Sequence, residues 1–181
     1  AALAYGTESV PAVDVIVGPG NKYVSLAKGE VSGDVGIDSM AGPSELVVIA
    51  DASTPAEHVA LDLMAQAEHG PDGTAVVIAW DAAVLDGVEE ALARLVADAP
   101  RRAEIESNFA GGGVSALVRD GAQAVAVANL IAPEHLELAV ADPAPLLDLV
   151  ECAGAVFCGA WAPAVVGDYI AGPNHVLPTG R

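Results

Sequence analysis

Leu46-Val47-Val48-Ile49-Ala50 is an unbroken apolar run, and a strand without polar alternation is one covered on both faces. A helix signal follows it. Thr54 can cap, Pro55 suits a first turn, and Glu57 stands three residues after the cap. That helix carries Gln66-Ala67-Glu68-His69 at its end, and Gly70-Pro71 stops it. Ala75 to Trp80 is then a second apolar strand. Apolar strands joined by a helix predict parallel neighbours with a helical crossover.

The alternation extends in both directions. Downstream, Val84, Val88, Leu92 and Leu95 recur at helical spacing, so Asp81 to Ala97 reads as an amphipathic helix with a solvated acidic face. Arg101 to Gly113 reads as a surface helix and a glycine-rich loop, Val114 to Val118 as a strand, and Gly121 to Asn129 as a helix. Pro133 breaks that helix ahead of an extended run, Leu136 to Val140. Pro143 to Ala153 reads as helical, Ala155 to Cys158 as a strand, Pro163 to Tyr169 as a short helix, and Gly172 to Arg181 as an irregular tail. Upstream, Ala1 to Tyr5 reads as the end of a helix, Val13 to Val17 as a short buried strand, Lys22 to Val31 as a helix, and Val35 to Asp38 as a short strand. The expectation is an α/β chain with a mostly parallel sheet flanked by helices, and no internal repeat or low-complexity linker interrupts it.

Composition narrows the function classes. With 53% hydrophobic residues the chain can bury a core, and its 181 residues suffice for one core or one and part of another. No apolar run approaches the ~20 residues of a membrane span, so a soluble globular protein is expected. Twenty-five acidic against seven basic residues, a net charge of -18, repel phosphate backbones and anionic lipid, which argues against nucleic acid and membrane as partners. Cys152 and Cys158 lack CxxC spacing and read as small packed hydrophobes in a reducing cytoplasm. The chain opens at Ala1 without a targeting segment and stops at Arg181, which suggests a piece of something longer.

Several residues offer chemistry. Gln66 and His69, three apart on a helix, point the same way, the geometry of two ligands converging on one atom; a histidine at a helix end also simply satisfies terminal carbonyls. Gly18-Pro19-Gly20-Asn21 lies between a strand and a helix, where backbone amides hold phosphate, but it lacks a full GxGxxG and Gly-Pro also makes plain turns. Ser44 stands at the mouth of a strand, as a turn serine or a site residue. Glu134-His135 lies between a helix and a strand, where a carboxylate and an imidazole can act as two bases, one for a hydroxyl and one for a water. Asp168 in Gly167-Asp168-Tyr169 offers a hard oxygen for a metal or is a surface acid. His58 sits mid-helix and reads as solvated, whereas His69, His135 and His175 stand at chain breaks.

Taken in order, Val17-Gly18-Pro19-Gly20-Asn21, Ala41-Gly42-Pro43-Ser44-Glu45, Ala65-Gln66-Ala67-Glu68-His69-Gly70, Pro133-Glu134-His135-Leu136, Gly167-Asp168-Tyr169 and Gly172-Pro173-Asn174-His175-Val176-Leu177-Pro178-Thr179 resemble the histidinol dehydrogenase family. The motifs keep that family's order and very nearly its spacings from Ala1 to Arg181. The resemblance implies a cytoplasmic, homodimeric, zinc-dependent enzyme that closes histidine biosynthesis, oxidising L-histidinol through L-histidinal to L-histidine with two NAD. Carried over by position, Gln66, His69 and Asp168 match zinc ligands, Ser44 a substrate contact, and Asn21 a position that meets NAD. Glu134 and His135 match the catalytic pair, His135 taking the hydroxyl proton and Glu134 activating water on the aldehyde. With zinc beside the substrate, Gln66, His69, His135 and Asp168 join Ser44 around it. His175 matches a family motif residue to which no chemical role is assigned.

The resemblance also implies incomplete Rossmann-like lobes. Residues 1–44 correspond to the last part of an inserted nucleotide-binding-like domain, and residues 45–181 to the main α/β domain with the zinc and catalytic motifs. A family glutamine that contacts NAD falls just before the start, and a final zinc-ligand histidine, donated by the partner subunit, falls beyond the end. The chain alone is therefore expected to bind zinc weakly and to show no histidinol-dependent NAD reduction. Two rivals stand beside this: a paralogue oxidising another small alcohol on the same scaffold, and an inactive fragment serving only as a binding module.

Overall fold

A computed structural model describes residues 1–18, 20–38, 43–172 and 177 of the chain. The chain divides into two compact units, Ala1–Pro43 with Val176–Arg181, and Ser44–His175.

The first unit holds α1 (Ala2–Tyr5), β1 (Val15–Ile16), α2 (Lys22–Val31) and β2 (Gly36–Ile37). The two strands pair in parallel, Val15 opposite Gly36 and Ile16 opposite Ile37. Both are shorter than the expected Val13–Val17 and Val35–Asp38, and Val15 and Val17 are exposed rather than buried. A two-stranded ribbon gives each strand one neighbour and little surface to pack on. Asn21 caps α2, its side chain accepting from the N–H groups of Tyr23 and Val24 at 3.1 and 3.2 Å. The Asp38 carboxylate accepts from the Gly18 N–H at 2.9 Å and from the buried Lys28 ammonium at 2.6 Å. Among the described residues of the glycine turn, an internal carboxylate thus occupies a backbone donor that a phosphate would need. Pro19, Ala41, Gly42 and His175, with most of the Gly172–Arg181 tail, lie outside the described residues.

The second unit runs β3 (Glu45–Ala50), α3 (Ala56–Ala67), β4 (Thr74–Ala79), α4 (Ala82–Ala97), α5 (Arg102–Gly112), β5 (Gly113–Leu117), α6 (Gly121–Ile131), β6 (His135–Ala139), α7 (Ala144–Leu147), β7 (Ala155–Cys158) and α8 (Val165–Tyr169). Its sheet has the order β5-β4-β3-β6-β7, every pair parallel. Strand alternation sorts the side chains to two faces. Leu46, Val48 and Ala50 pack with Val77, Ala79 and the α3 and α4 residues Leu63 and Val88. Val47 and Ile49 pack on the other face with Ile78, Leu136, Leu138 and the α6 residue Val125. These side chains are almost wholly buried, and burying each Val, Leu or Ile among them contributes about 1.5–3 kcal/mol. The expected α/β architecture with a parallel sheet flanked by helices is therefore present. Among the described residues no helix is long and apolar enough to cross a membrane.

Departures from the sequence reading have local causes. The Thr54 hydroxyl does not cap α3: it donates to the Ala139 carbonyl at 2.7 Å, and Pro55 takes the cap position without a side-chain bond. The helix expected over Pro143–Ala153 shrinks to α7, because the Asn129 side chain bonds Leu149, Glu151 and Cys152 and holds that segment as a turn. Helix α5 is more than a surface element, since Ile105 and Asn108 are buried and the helix runs through Gly111 and Gly112. At Gly112 a Cβ would lie 2.4 Å from the Gly73 carbonyl, so the helix approaches that loop as only glycine can. Cys158 lies exposed on the edge strand β7 rather than packed, and Cys152 is half-buried. His58 is half-buried, edge-on to Trp161 with ring centroids 4.9 Å apart.

Candidate active site

The sequential strands β3, β4 and β5 step to one side of the sheet, and the chain then returns to pair β6 on the other side of β3. The strand order therefore reverses between β3 and β6. At the amino ends of these strands Ser44, Gln66, His69, Glu134 and His135 line one cavity of about 180 Å³. Three separate stretches deliver them. Ser44 directly precedes β3, Gln66 closes the last turn of α3 with His69 just beyond, and Glu134 and His135 mark the entry into β6. Ladder register explains the meeting, since His135 stands opposite Leu46 and the Ser44 carbonyl accepts the Thr74 N–H at 3.1 Å at the edge of β4.

Hydrogen bonds fix the side chains. The Ser44 hydroxyl donates to Glu134 Oε2, and the same carboxylate oxygen lies 3.6 Å from His135 Nδ1. His135 is buried, at the start of the strand face that α3 covers. The Gln66 amide donates from Nε2 to the Ser44 carbonyl at 2.7 Å, which orients the amide and reserves Oε1 as its acceptor atom. His69 places Nδ1 3.1 Å from the Gln66 carbonyl. With Nδ1 protonated toward that carbonyl, Nε2 carries the lone pair that a metal requires. The two roles considered for His69 are therefore compatible, because a bond from Nδ1 to the helix end leaves Nε2 available.

Asp168 lies on α8, whose N-cap Ala164 and first residue Val165 line the same cavity, while the Asp168 side chain lies outside the described residues. Among the described residues, no group of three or more His, Cys, Asp or Glu side chains is disposed to hold a metal. The candidate zinc set contributes one such side chain to that count, His69, beside the amide of Gln66. An amide oxygen and an imidazole nitrogen at one cavity wall fit zinc as hard and borderline donors. Asn21 belongs to the first unit, where its Oδ1 is spent on the cap, so its Nδ2 is the group it has to offer a ligand.

Three polar residues without a mark in the sequence reading complete the region. Asn108, fully buried on α5, donates to the carbonyls of Gly70 and Gly73 at 2.7 and 2.9 Å and so pins the loop after His69. A buried polar residue three positions after Ile105 on an otherwise polar helix was the available signal. Asp62 and Glu137 stand in the cavity wall as two acids, with His58 one helical turn before Asp62. Burial pushes the Asp62 carboxyl up to about 6. Burial, and then the charge of Asp62, holds Glu137 well above the usual carboxylate range.

The family model for histidinol dehydrogenase matches residues 1–181. The chain belongs to the histidinol dehydrogenase family. Histidinol dehydrogenase of Pseudomonas aeruginosa is 54% identical over 179 residues, which cover 99% of this chain and 41% of that protein. The crystal structure of histidinol dehydrogenase from Elizabethkingia anophelis matches with a TM-score of 0.91 and 37% identity, over 98% of this chain and 41% of that one. Gamma-glutamyl phosphate reductase from Thermotoga maritima matches with a TM-score of 0.54 at 9% identity, over 83% of this chain and 42% of that one, a likeness of fold alone. The chain thus spans about two fifths of the length of the family members it matches.

Proposed function

We propose that this chain supplies the zinc-binding and catalytic part of a histidinol dehydrogenase, an enzyme that oxidises L-histidinol through L-histidinal to L-histidine and works as a cytoplasmic homodimer. The observation that carries the reading is the single cavity gathering Ser44, Gln66, His69, Glu134 and His135 from three distant stretches of a family member. Gln66 and His69, with Asp168 from α8, are the residues to hold zinc, and residues 1–44 are the end of a nucleotide-binding-like domain in which Asn21 meets NAD. Zinc, when bound, orients the substrate through its imidazole and amino groups, and NAD, when bound, supplies the acceptor for the hydride of each oxidation.

The protein's own residues then divide the proton work. His135 accepts the proton of the substrate hydroxyl as the carbinol carbon loses hydride, leaving the aldehyde. Glu134, oriented by the Ser44 hydroxyl, takes a proton from the water that adds to that aldehyde. His135, having released its first proton to solvent, next accepts the proton of the hydrate's hydroxyl during the second hydride loss. Alcohol and water thereby become a carboxylate, two hydrides leave, and three protons are released. Ser44, Gln66, His69, His135 and Asp168 surround the substrate, so both oxidations run in one pocket and the aldehyde is retained.

Zinc titration of the 181-residue chain tests the metal site. Binding that is lost on His69→Ala and Gln66→Ala supports the reading, and a crystal structure with zinc should place Gln66, His69 and Asp168 about 2.0–2.2 Å from the ion. Zinc bound equally well by His69→Ala overturns it. The reaction is tested in a full-length enzyme carrying this chain by following NADH with histidinol as substrate; reduction of NAD by another small alcohol in its place would assign a paralogue instead.

A further inference from the structure

Asp62 and Glu137 have no task in the scheme above, yet their positions are specific. Glu137 sits two residues after His135 on β6, so strand alternation puts both on the face that α3 covers. Glu137 stands opposite Val48 in the ladder and is 3% exposed, among the apolar residues of that face. A carboxyl there must be hydrogen-bonded to be tolerated. Its Oε1 accepts the Ala164 N–H at 2.6 Å, and Asp62 lines the same cavity beside it, its charge among the causes that raise Glu137. Two carboxyls bond one another only with a proton between them.

The donor at Ala164 is informative. Ala164 is the N-cap of α8, which has five residues and no side-chain cap. So short a helix has little stability of its own, and its first N–H groups need outside acceptors. Glu137 supplies one from the sheet.

Each member of this cluster lies one step from a proposed site residue. Asp62 precedes Gln66 by one helical turn on α3, Glu137 follows His135 on the same strand face, and Ala164 precedes Asp168 by one turn on α8. We infer that Asp62 and Glu137 form a hydrogen-bonded carboxyl pair that positions α8, and with it Asp168, against the catalytic strand β6 and the ligand helix α3. The pair are positioning residues, and their link to zinc rests on the assignment of Asp168 as a ligand.

Two readouts on the 181-residue chain test the inference: amide hydrogen exchange at residues 164–167 without metal, and titration with zinc alone. Glu137→Gln keeps an oxygen for Ala164 and gains an N–H for Asp62, so both readouts should stay within about threefold of the parent. Glu137→Leu and Asp62→Leu should each speed exchange at 164–167 and weaken zinc binding about tenfold or more, the equivalent of one buried hydrogen bond. Asp62 is only half-buried, so Asp62→Leu decides the matter where Glu137→Leu does not fold. Unchanged exchange in Asp62→Leu overturns the inference, as does Glu137→Gln behaving like the leucine variant. A parent chain that binds no zinc overturns the metal assignment instead, and the exchange experiment still judges the pair.

Discussion

At the carboxyl ends of β3 and β6 the sheet's own side chains close the gap between the two strands, beside a depression of about 560 Å³ over β3, β4 and β5, whereas at the amino ends of the same strands the gap opens into the cavity of about 180 Å³. The Asp51 carboxylate accepts from the N–H groups of Ser53 at 2.9 Å and Ala141 at 3.1 Å, and the Thr54 hydroxyl closes on the Ala139 carbonyl. In open α/β sheets ligands commonly occupy the crevice outside the carboxyl ends, where the strand order reverses. Here that crevice is crossed by Asp51 and Thr54, and the acids Asp51 and Asp81 nearby repel a phosphate. The opposite end carries the residues with chemistry. Topology therefore locates two candidate ends, and only the side chains at each decide between them.

The largest effects should come from the open end. In a full-length enzyme carrying this chain, His135→Asn should lower kcat by about 10²–10⁴ with zinc content intact. Metal analysis alongside turnover checks this, and loss of zinc would assign His135 to the metal rather than to proton transfer. Glu134→Gln should fall in the same range but stop after the first oxidation, so one NADH forms per substrate in a single turnover rather than two. A variant equally slow in both oxidations would mean that Glu134 does not serve the water step alone.

A smaller effect is expected one residue layer away. A Cβ on Gly73 would lie 3.0 Å from Gln66 Nε2, 3.1 Å from the Ser44 carbonyl and 3.2 Å from Asn108 Nδ2. Gly73→Ala must shift the Gln66 amide, the side chain it would approach most closely. Zinc affinity should fall about tenfold while overpacking costs about 1–3 kcal/mol of stability. Titration and a denaturant midpoint on one preparation separate the two, and a stability loss with zinc affinity unchanged would detach Gln66 from the metal.

The sequence made the open end legible and the sealed end illegible for related reasons. Glu134-His135 and Gln66-Ala67-Glu68-His69 are contiguous motifs at chain breaks, so local grammar marks them. The apolar runs of β3 and β4 likewise announce a parallel sheet. Thr54 looked like a cap because capping is a local option; its bond to Ala139 spans 85 positions and wins only once β6 is beside β3. Asn129 rewrote the segment after Pro143 through bonds 20 to 23 positions away. Asn108, Asp62 and Glu137 escaped for the same reason, since their partners come together only through the fold.

Breaking the seal should cost stability rather than catalysis. Thr54→Val removes the donor to the Ala139 carbonyl, which retains a long bond of 3.4 Å from the Asp51 N–H. The expected loss is about 1–2 kcal/mol, read as a lower denaturant midpoint at unchanged slope, with zinc affinity as in the parent. A loss of zinc affinity would mean that the two ends are coupled through β3.

The finest distinction between the ends lies in how their acids respond to pH. Burial pushes the Asp51 carboxyl up, but the Ser53 hydroxyl and the N–H groups of Ala141 and Ser53 together hold it below its ordinary 3.8. The unfolded chain therefore binds the Asp51 proton more readily than the folded one, and this contribution, present above 3.8, is lost as pH falls through the lower folded value. Asp62 behaves oppositely. Burial raises it to about 6 against hydrogen bonding from Glu137 and the charge of His58, so between 3.8 and about 6 the folded chain keeps a proton that the unfolded chain has released. Its contribution is full below 3.8 and is lost as pH rises to about 6, with Glu137, raised well above 4.5, acting in the same direction. Chemical denaturation across pH 3 to 7 should therefore show Asp51→Asn flattening the acid limb, whereas Asp62→Asn lessens the loss of stability as pH rises toward 6. If Asp62→Asn left that loss unchanged, the proton between Asp62 and Glu137 would belong to both states, and the sealed and open ends would differ in hydrogen bonding but not in proton linkage.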